Sequence, residues 1–158
     1  MTHSGLPGFP RKSLAFLPTP LVDLPRLSAV LGGPRVFMKR DDQTGLATGG
    51  NKARKLEFLT GDAMARGCDI LITGGAAQSN HCRQTAAAAA ACGMACHLVL
   101  GGEEPARSEG NLLLDVLLGA TIHWSGNRRK GEDIHAISEE QRAAGRRPYE
   151  IQYGGSTA

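Results

Sequence analysis

The sequence predicts an α/β chain built as an open parallel sheet with helical crossovers. From residue 69 onward short apolar runs alternate with helix-length segments, glycines mark their boundaries, and an alanine run offers one helix a thin profile against a sheet. The first forty residues differ: six of the eight prolines fall between Pro7 and Pro34, and only short apolar pieces separate them. That stretch reads as a segment that wraps around another body. Val36-Phe37-Met38-Lys39-Arg40 has the β-branched and aromatic content of a short strand, and Asp41-Asp42 with the glycine-rich stretch 45–50 makes a loop. Asn51 is placed to cap a helix along which Leu56, Leu59 and Met64 recur at helical spacing to about residue 66. Lys52 therefore stands at the mouth of a helix.

Ile70-Leu71-Ile72, His97-Leu98-Val99-Leu100, Thr121-Ile122-His123-Trp124 and Tyr149-Glu150-Ile151 are the strand-like runs, and segments near 80–92, 109–118 and 132–144 are helical. Strands spaced by helices pair in parallel through right-handed crossovers. Ala86 to Ala91 give the first crossover helix high intrinsic propensity and let it lie close to the sheet. Gly101-Gly102, Gly119, Gly145 and Gly154-Gly155 fall at element ends, where left-handed or tight-turn backbone is needed.

A length of 158 residues suits one domain with a single hydrophobic core, and 41% hydrophobic with 21% charged residues is the composition of a soluble globular protein. No apolar run approaches the roughly 20 residues of a membrane span. Met1 to Lys12 lead into no secretory signal, so the expected compartment is the cytoplasm. Cys68, Cys82, Cys92 and Cys96 form no CxxC pair and read as buried free thiols, with no metal site expected. Lys plus Arg exceeds Asp plus Glu by 18 minus 15, or +3. Arg128-Arg129-Lys130 and Arg146-Arg147 carry no interleaved aromatics or reader motif, so they read as solvated surface and not as a nucleic-acid interface.

In open α/β sheets ligands bind beyond the carboxyl ends of strands. Thr73-Gly74-Gly75-Ala76-Ala77-Gln78-Ser79-Asn80 reads as such a loop, between a strand ending near Ile72 and the alanine-rich helix. Its glycines would let backbone approach a ligand, and the helix start behind Ser79 or Asn80 would aim N–H groups at an anion such as a substrate carboxylate. The same two residues could serve only as a helix cap. Lys52 is likewise open: it could be part of a solvated face with Arg54 and Lys55. Alternatively it could form a Schiff base, its neutral amine favoured by that positive neighbourhood and by a helix N-terminus.

Together, GGNKARKLEFL at 49–59 and QSNHCRQTAA at 78–87, with Pro18-Thr19-Pro20-Leu21 and Lys39-Arg40-Asp41-Asp42 before them, resemble one family. The match is to the pyridoxal-phosphate enzymes of the D-cysteine desulfhydrase and 1-aminocyclopropane-1-carboxylate deaminase family, from about Leu14 to Ala158. The resemblance implies a tryptophan synthase β-like, fold type II architecture. It assigns 1–48 to a large cofactor domain, 49–153 to a small α/β domain and 154–158 to the start of the return. The lysine matching Lys52 would hold pyridoxal phosphate covalently and later take the Cα proton. Asn80 would hydrogen-bond the cofactor's ring oxygen, with Asn51 in the same surroundings. Ser79 would contact substrate and act in catalysis, and Gln78, Asn80 and His81 would line the substrate site. His81 and the Gly154-Gly155-Ser156 ending resemble the desulfhydrase branch. The implied reaction is β-elimination on a small sulfur-containing amino acid such as D-cysteine, giving pyruvate, ammonia and sulfide. L-cysteate and 1-aminocyclopropane-1-carboxylate are alternative substrates.

The chain departs from the pattern at Ser156-Thr157-Ala158, where another helix is expected. The phosphate loop, the partner of the pyridine nitrogen and a catalytic tyrosine would come from a further C-terminal half or a separate chain, and the full-length protein would be a homodimer. On this reading the isolated chain turns over little substrate. A second class stands beside the enzyme: a non-catalytic α/β module that binds a carboxylate ligand or a partner chain.

Overall fold

The structure, a computed structural model, describes residues 8–155; Pro7 and Ser156-Thr157-Ala158 lie outside them. The chain runs β1 (Leu21–Asp23), α1 (Pro25–Leu31), β2 (Phe37–Lys39), α2 (Lys52–Ala65), β3 (Ile70–Ala76), α3 (Asn80–Ala91), β4 (Ala95–Gly101), α4 (Gly110–Leu117), β5 (Thr121–Trp124), α5 (Ile134–Ala143) and β6 (Pro148–Glu150). Single 3-10 turns fall at Asp41–Gln43, Leu46–Thr48 and Tyr153–Gly155.

β3 to β6 form one parallel sheet in the order β5-β4-β3-β6. Both faces are covered, which is why its strands read as apolar runs. Leu71, Leu98 and Leu100 point to one face, where Leu56, Leu59 and Ala63 of α2, Ala86, Ala88 and Ala89 of α3 and Leu112 of α4 close the core. Ile70, Ile72 and Val99 point to the other and meet Ile134 and Ile137 of α5. Residues 81–89 of α3 are all buried, so the alanine run serves a helix enclosed by the sheet, α2 and α4. Connections run from β3 to β4 to β5 in one direction, then α5 returns the chain to the opposite side of β3. The order therefore reverses between β3 and β6, and the crevice above that point is where open sheets hold ligands.

Three expectations need correction. β3 runs to Ala76, so Gly74 and Gly75 belong to the strand. They are small because neighbouring protein crowds them: a Cβ on Gly74 would stand 3.1 Å from Gly131 Cα, and one on Gly75 only 2.6 Å from Cys82 Sγ. Second, the proline-rich segment does carry structure of its own, since β1 pairs antiparallel with β2 and α1 begins at Pro25 and ends at left-handed Gly32. Third, Asn51 makes no capping bond; its backbone is already helical, and the first turn closes through Gly50 and Asn51 carbonyls.

The N-terminal strap is fastened to α2 by Glu57. This buried carboxylate accepts hydrogen bonds from Leu14 N at 2.9 Å, Ala15 N at 3.0 Å and the Arg11 guanidinium at 2.8 and 2.5 Å. All four cysteines are free, and burial pushes the Cys82 thiol up to about 12. Among the described residues no helix is long and apolar enough to cross a membrane, and no group of three or more His, Cys, Asp or Glu could hold a metal ion.

Candidate active site

The Lys52 side of the site is a strained turn. Ala47 and Thr48 have φ of 42° and 69°, and Gly49 and Gly50 follow at 78° and 130°. Non-glycine residues in left-handed backbone cost roughly 1 kcal/mol or more each, and such strain concentrates at functional sites. Buried Thr44 holds the turn: its Oγ1 donates to Gly50 O at 2.9 Å and accepts from Gly50 N at 2.9 Å. A Cβ on Gly49 would lie 2.0 Å from Asp42 O, so no side chain fits there. Lys52 is the first residue of α2 and half-buried, and among the described residues no hydrogen bond or ion pair engages its Nζ.

The positive neighbourhood expected around Lys52 is thinner than the sequence suggests. Arg54 forms a bidentate pair with Asp41 at 2.7 and 2.6 Å, and the guanidinium holds that carboxyl below its usual range. Lys55 donates to Gly154 O at 3.2 Å.

The opposite wall is the start of α3. Ser79 is the N-cap, with its Oγ accepting from Cys82 N at 3.3 Å, which leaves the hydroxyl proton free to donate. Asn80 Oδ1 accepts from Arg83 at 3.0 Å and from Asn111 Nδ2 at 2.9 Å. Since arginine only donates, the oxygen end of the amide is assigned and Nδ2 remains as a donor. Both ends of the Gln78 side chain are engaged at the start of α4, Nε2 with O of the preceding Glu109 at 3.0 Å and Oε1 with Asn111 N at 2.9 Å. Gln78 thus braces α4 against the start of α3.

His81 closes the floor between β3 and β6. Thr73 Oγ1 donates its one proton to Ile151 O at 3.0 Å, so the 3.1 Å contact with His81 Nε2 must be donated by the ring. That fixes the Nε2–H tautomer and leaves Nδ1 buried without a partner among the described residues. Burial, with help from Lys52 and Lys55, pushes the ring's pKa down to about 4. A Cβ on Gly155 would reach 2.9 Å from His81 Cε1, so the glycine after β6 packs on the ring.

Arg83 joins the two walls: one nitrogen donates to Gly49 O at 2.8 Å, the other to Asn80 Oδ1 and to Asn111 Oδ1 at 2.8 Å. Arg83 thus ties the turn before Lys52 to the start of α3, and His81, beside β3, feels the charge of Lys52. Sequence reading gave no role to Arg83, Thr44 and Asn111, and took Thr73 only as the start of a ligand loop. A lone arginine beside an alanine run was the available signal for the first.

A crystal structure of an ACC deaminase homologue superposes on the chain with a TM-score of 0.83 at 42% identity, covering 94% of this chain and 45% of that one. A D-cysteine desulfhydrase of Klebsiella pneumoniae (strain 342) is 48% identical over 164 residues, covering all of this chain and 50% of the relative. Another from Yersinia enterocolitica is 44% identical over 156 residues, covering 95% and 47%. The chain spans about half the length of the curated relatives it matches. A family model described as pyridoxal-phosphate dependent enzyme matches residues 12–156, a stretch that takes in both walls of the crevice, and the chain belongs to that family.

Proposed function

We propose that this protein is a pyridoxal-phosphate-dependent carbon–sulfur lyase that performs β-elimination on a small sulfur amino acid such as D-cysteine. The observation that supports the reading is the joining of the Lys52 turn to Asn80 through one guanidinium, from Gly49 O to Asn80 Oδ1. The residues present fit the reactive end and the ring of the cofactor. Lys52 Nζ would hold it covalently, Asn80 Nδ2 would donate to its ring oxygen, and Asn51 lies beside the lysine.

Bound pyridoxal phosphate supplies a sink for the electron pair left at Cα. The groups of this chain would take the following parts. The free N–H groups at the start of α3 and the Ser79 hydroxyl hold the substrate carboxylate, where the helix end favours an anion. Lys52 Nζ, once released to the amine form, takes the Cα proton. His81, neutral and tautomer-locked, shapes the floor under the substrate, and Gln78 keeps α4 in place beside it. Loss of sulfide from Cβ, followed by addition of one water, gives pyruvate and ammonia.

We extend the proposal to organisation: residues 1–48 belong with a large cofactor domain, 49–153 form the small domain and 154–158 begin the return. A homodimer in the cytoplasm is the proposed working form. The half-length match to the desulfhydrases supports a phosphate-binding part beyond these residues.

The test is reductive trapping. Pyridoxal phosphate is added to the purified chain, borohydride fixes the adduct, and peptide mapping locates it. Label at Lys52 and its loss in Lys52→Ala are expected. A visible band of equal strength in Lys52→Ala overturns the assignment. Keto-acid release from D-cysteine, L-cysteate and 1-aminocyclopropane-1-carboxylate, assayed on the longest reading frame that contains this chain, then separates the substrates.

A further inference from the structure

Arg83 is the only lysine or arginine on α3, and it is 6% exposed. Among the described residues its partners are three neutral oxygens, those of Gly49, Asn80 and Asn111, and no carboxylate lies within ion-pair distance. Nε has no partner there. A buried cation held only by carbonyl oxygens is an expensive way to stabilise a fold, because its lost hydration is not repaid by a counter-charge in contact. What the arrangement achieves is geometric.

The guanidinium is a rigid planar fork whose nitrogens keep a fixed separation. One nitrogen grips Gly49, three residues before Lys52, and the positive φ at Gly49 and Gly50 passes that grip directly to the start of α2. The other nitrogen takes up Asn80 Oδ1, so the amide can present only its Nδ2 to the crevice. Asn111 Oδ1 on the same nitrogen adds α4 to the clamp.

We propose that Arg83 is a positioning residue that holds the Lys52 turn, Asn80 and the start of α4 in one frame, so that the Lys52 amine and the Asn80 amide meet a single bound group at a set separation. The proposal rests on the functional reading above for what that group is. Its geometric core, the hold of Arg83 on the turn, is a property of the chain alone.

Arg83→Lys and Arg83→Met in the whole chain test it. Lysine keeps the charge, but its single ammonium is a point that cannot span the three oxygens. Amide hydrogen exchange at residues 49–53 is expected to accelerate about tenfold in both variants, equivalent to about 1.4 kcal/mol, while Ile70 to Ile72 of β3 stay as protected as before. In the trapping assay the ratio of label at Lys52 to label at Lys55 is expected to fall about tenfold in both.

Wild-type values in Arg83→Lys would mean that charge alone matters and would overturn the proposal. So would equal acceleration of the turn and of β3, the mark of a merely structural role. Should both variants fail to fold, Asn111→Ala at the solvent-facing start of α4 removes one arm of the clamp. It is expected to lower the label ratio about threefold, and an unchanged ratio overturns the proposal. If the wild type takes no label at Lys52 the functional reading fails, while hydrogen exchange still decides whether Arg83 holds the turn.

Discussion

Asp115 lies on α4 with no exposed surface, and neither carboxylate oxygen has a hydrogen-bond partner among the described residues. Burial pushes its carboxyl up from near 3.8 to about 7, against the pull of the Arg83 guanidinium on α3. The buried thiols of Cys82 and Cys96 are the other titratable groups that feel it. Between about pH 4 and pH 7 the folded chain therefore holds a proton that the unfolded chain has released. Stability from this group is complete below that window and falls as pH rises through it. Each unit is worth 1.36 kcal/mol, so the loss between pH 5 and pH 8 is about 2 to 3 kcal/mol. His81 works in the opposite sense. Its folded pKa, about 4, lies below the ordinary 6.5, so its contribution is complete above 6.5 and is lost as pH falls toward 4. Over pH 5 to 8 that is a gain of about 2 kcal/mol, and burial lowers His97 and His123 in the same sense. Asp115→Asn keeps the shape and removes the titration. Relative to wild type, the variant should gain about 2 to 3 kcal/mol of stability between pH 5 and pH 8. Urea unfolding followed by the single tryptophan, half-buried Trp124, measures both. A variant-minus-wild-type difference that is the same at pH 5 and pH 8 refutes the reasoning.

Gly49→Ala should lower stability by about 3 kcal/mol or more and abolish label at Lys52, because the new Cβ stands 2.0 Å from Asp42 O. Gly32→Ala, at φ 60° with nothing within 4 Å, should cost only about 1 kcal/mol; equal losses at the two glycines in urea unfolding would sink the distinction. Burial pushes the Glu57 carboxyl up, but Ala15 N, Leu14 N and Arg11 outweigh it and hold the group below its ordinary 4.5, so its contribution is present above that pH and fades on acidification. Glu57→Gln should cost about 2 kcal/mol at neutral pH and speed tryptic cleavage after Arg11 and Lys12. Unchanged cleavage would show that the strap is held elsewhere.

The four-strand sheet was legible because strands buried on both faces write themselves as Ile70-Leu71-Ile72 and His97-Leu98-Val99-Leu100. Its extension to Ala76 was not, since Gly74 and Gly75 are poor strand formers whose presence reflects close packing by Gly131 and Cys82, contacts between residues distant in sequence. β1 and α1 escaped notice for another reason. Three-residue β1 has a side chain pattern too short to show a period, and α1 contributes no buried residue. Lys52, Ser79 and Asn80 were legible through their motifs, but the geometry between them was not. Arg83 reads in sequence as one more charge, and only the fold shows that Gly49 O and Asn111 Oδ1 converge on it. The supposed cap at Asn51 failed because the strained turn delivers that residue with helical backbone already.

His81 is held neutral by its hydrogen bond and by its burial. Its Nε2–H is committed to Thr73, whose own proton is committed to Ile151 O, so the ring ties β3 to the segment after β6 across the switch point. Protonation would require Nδ1 to carry a second hydrogen into a buried place with no acceptor among the described residues, within electrostatic reach of Lys52 and Lys55. On the proposed function, a neutral His81 leaves the substrate carboxylate to the Ser79 hydroxyl and the N–H groups at the start of α3. The low pKa of His81 thus follows from its burial and from its place beside Lys52 and Lys55.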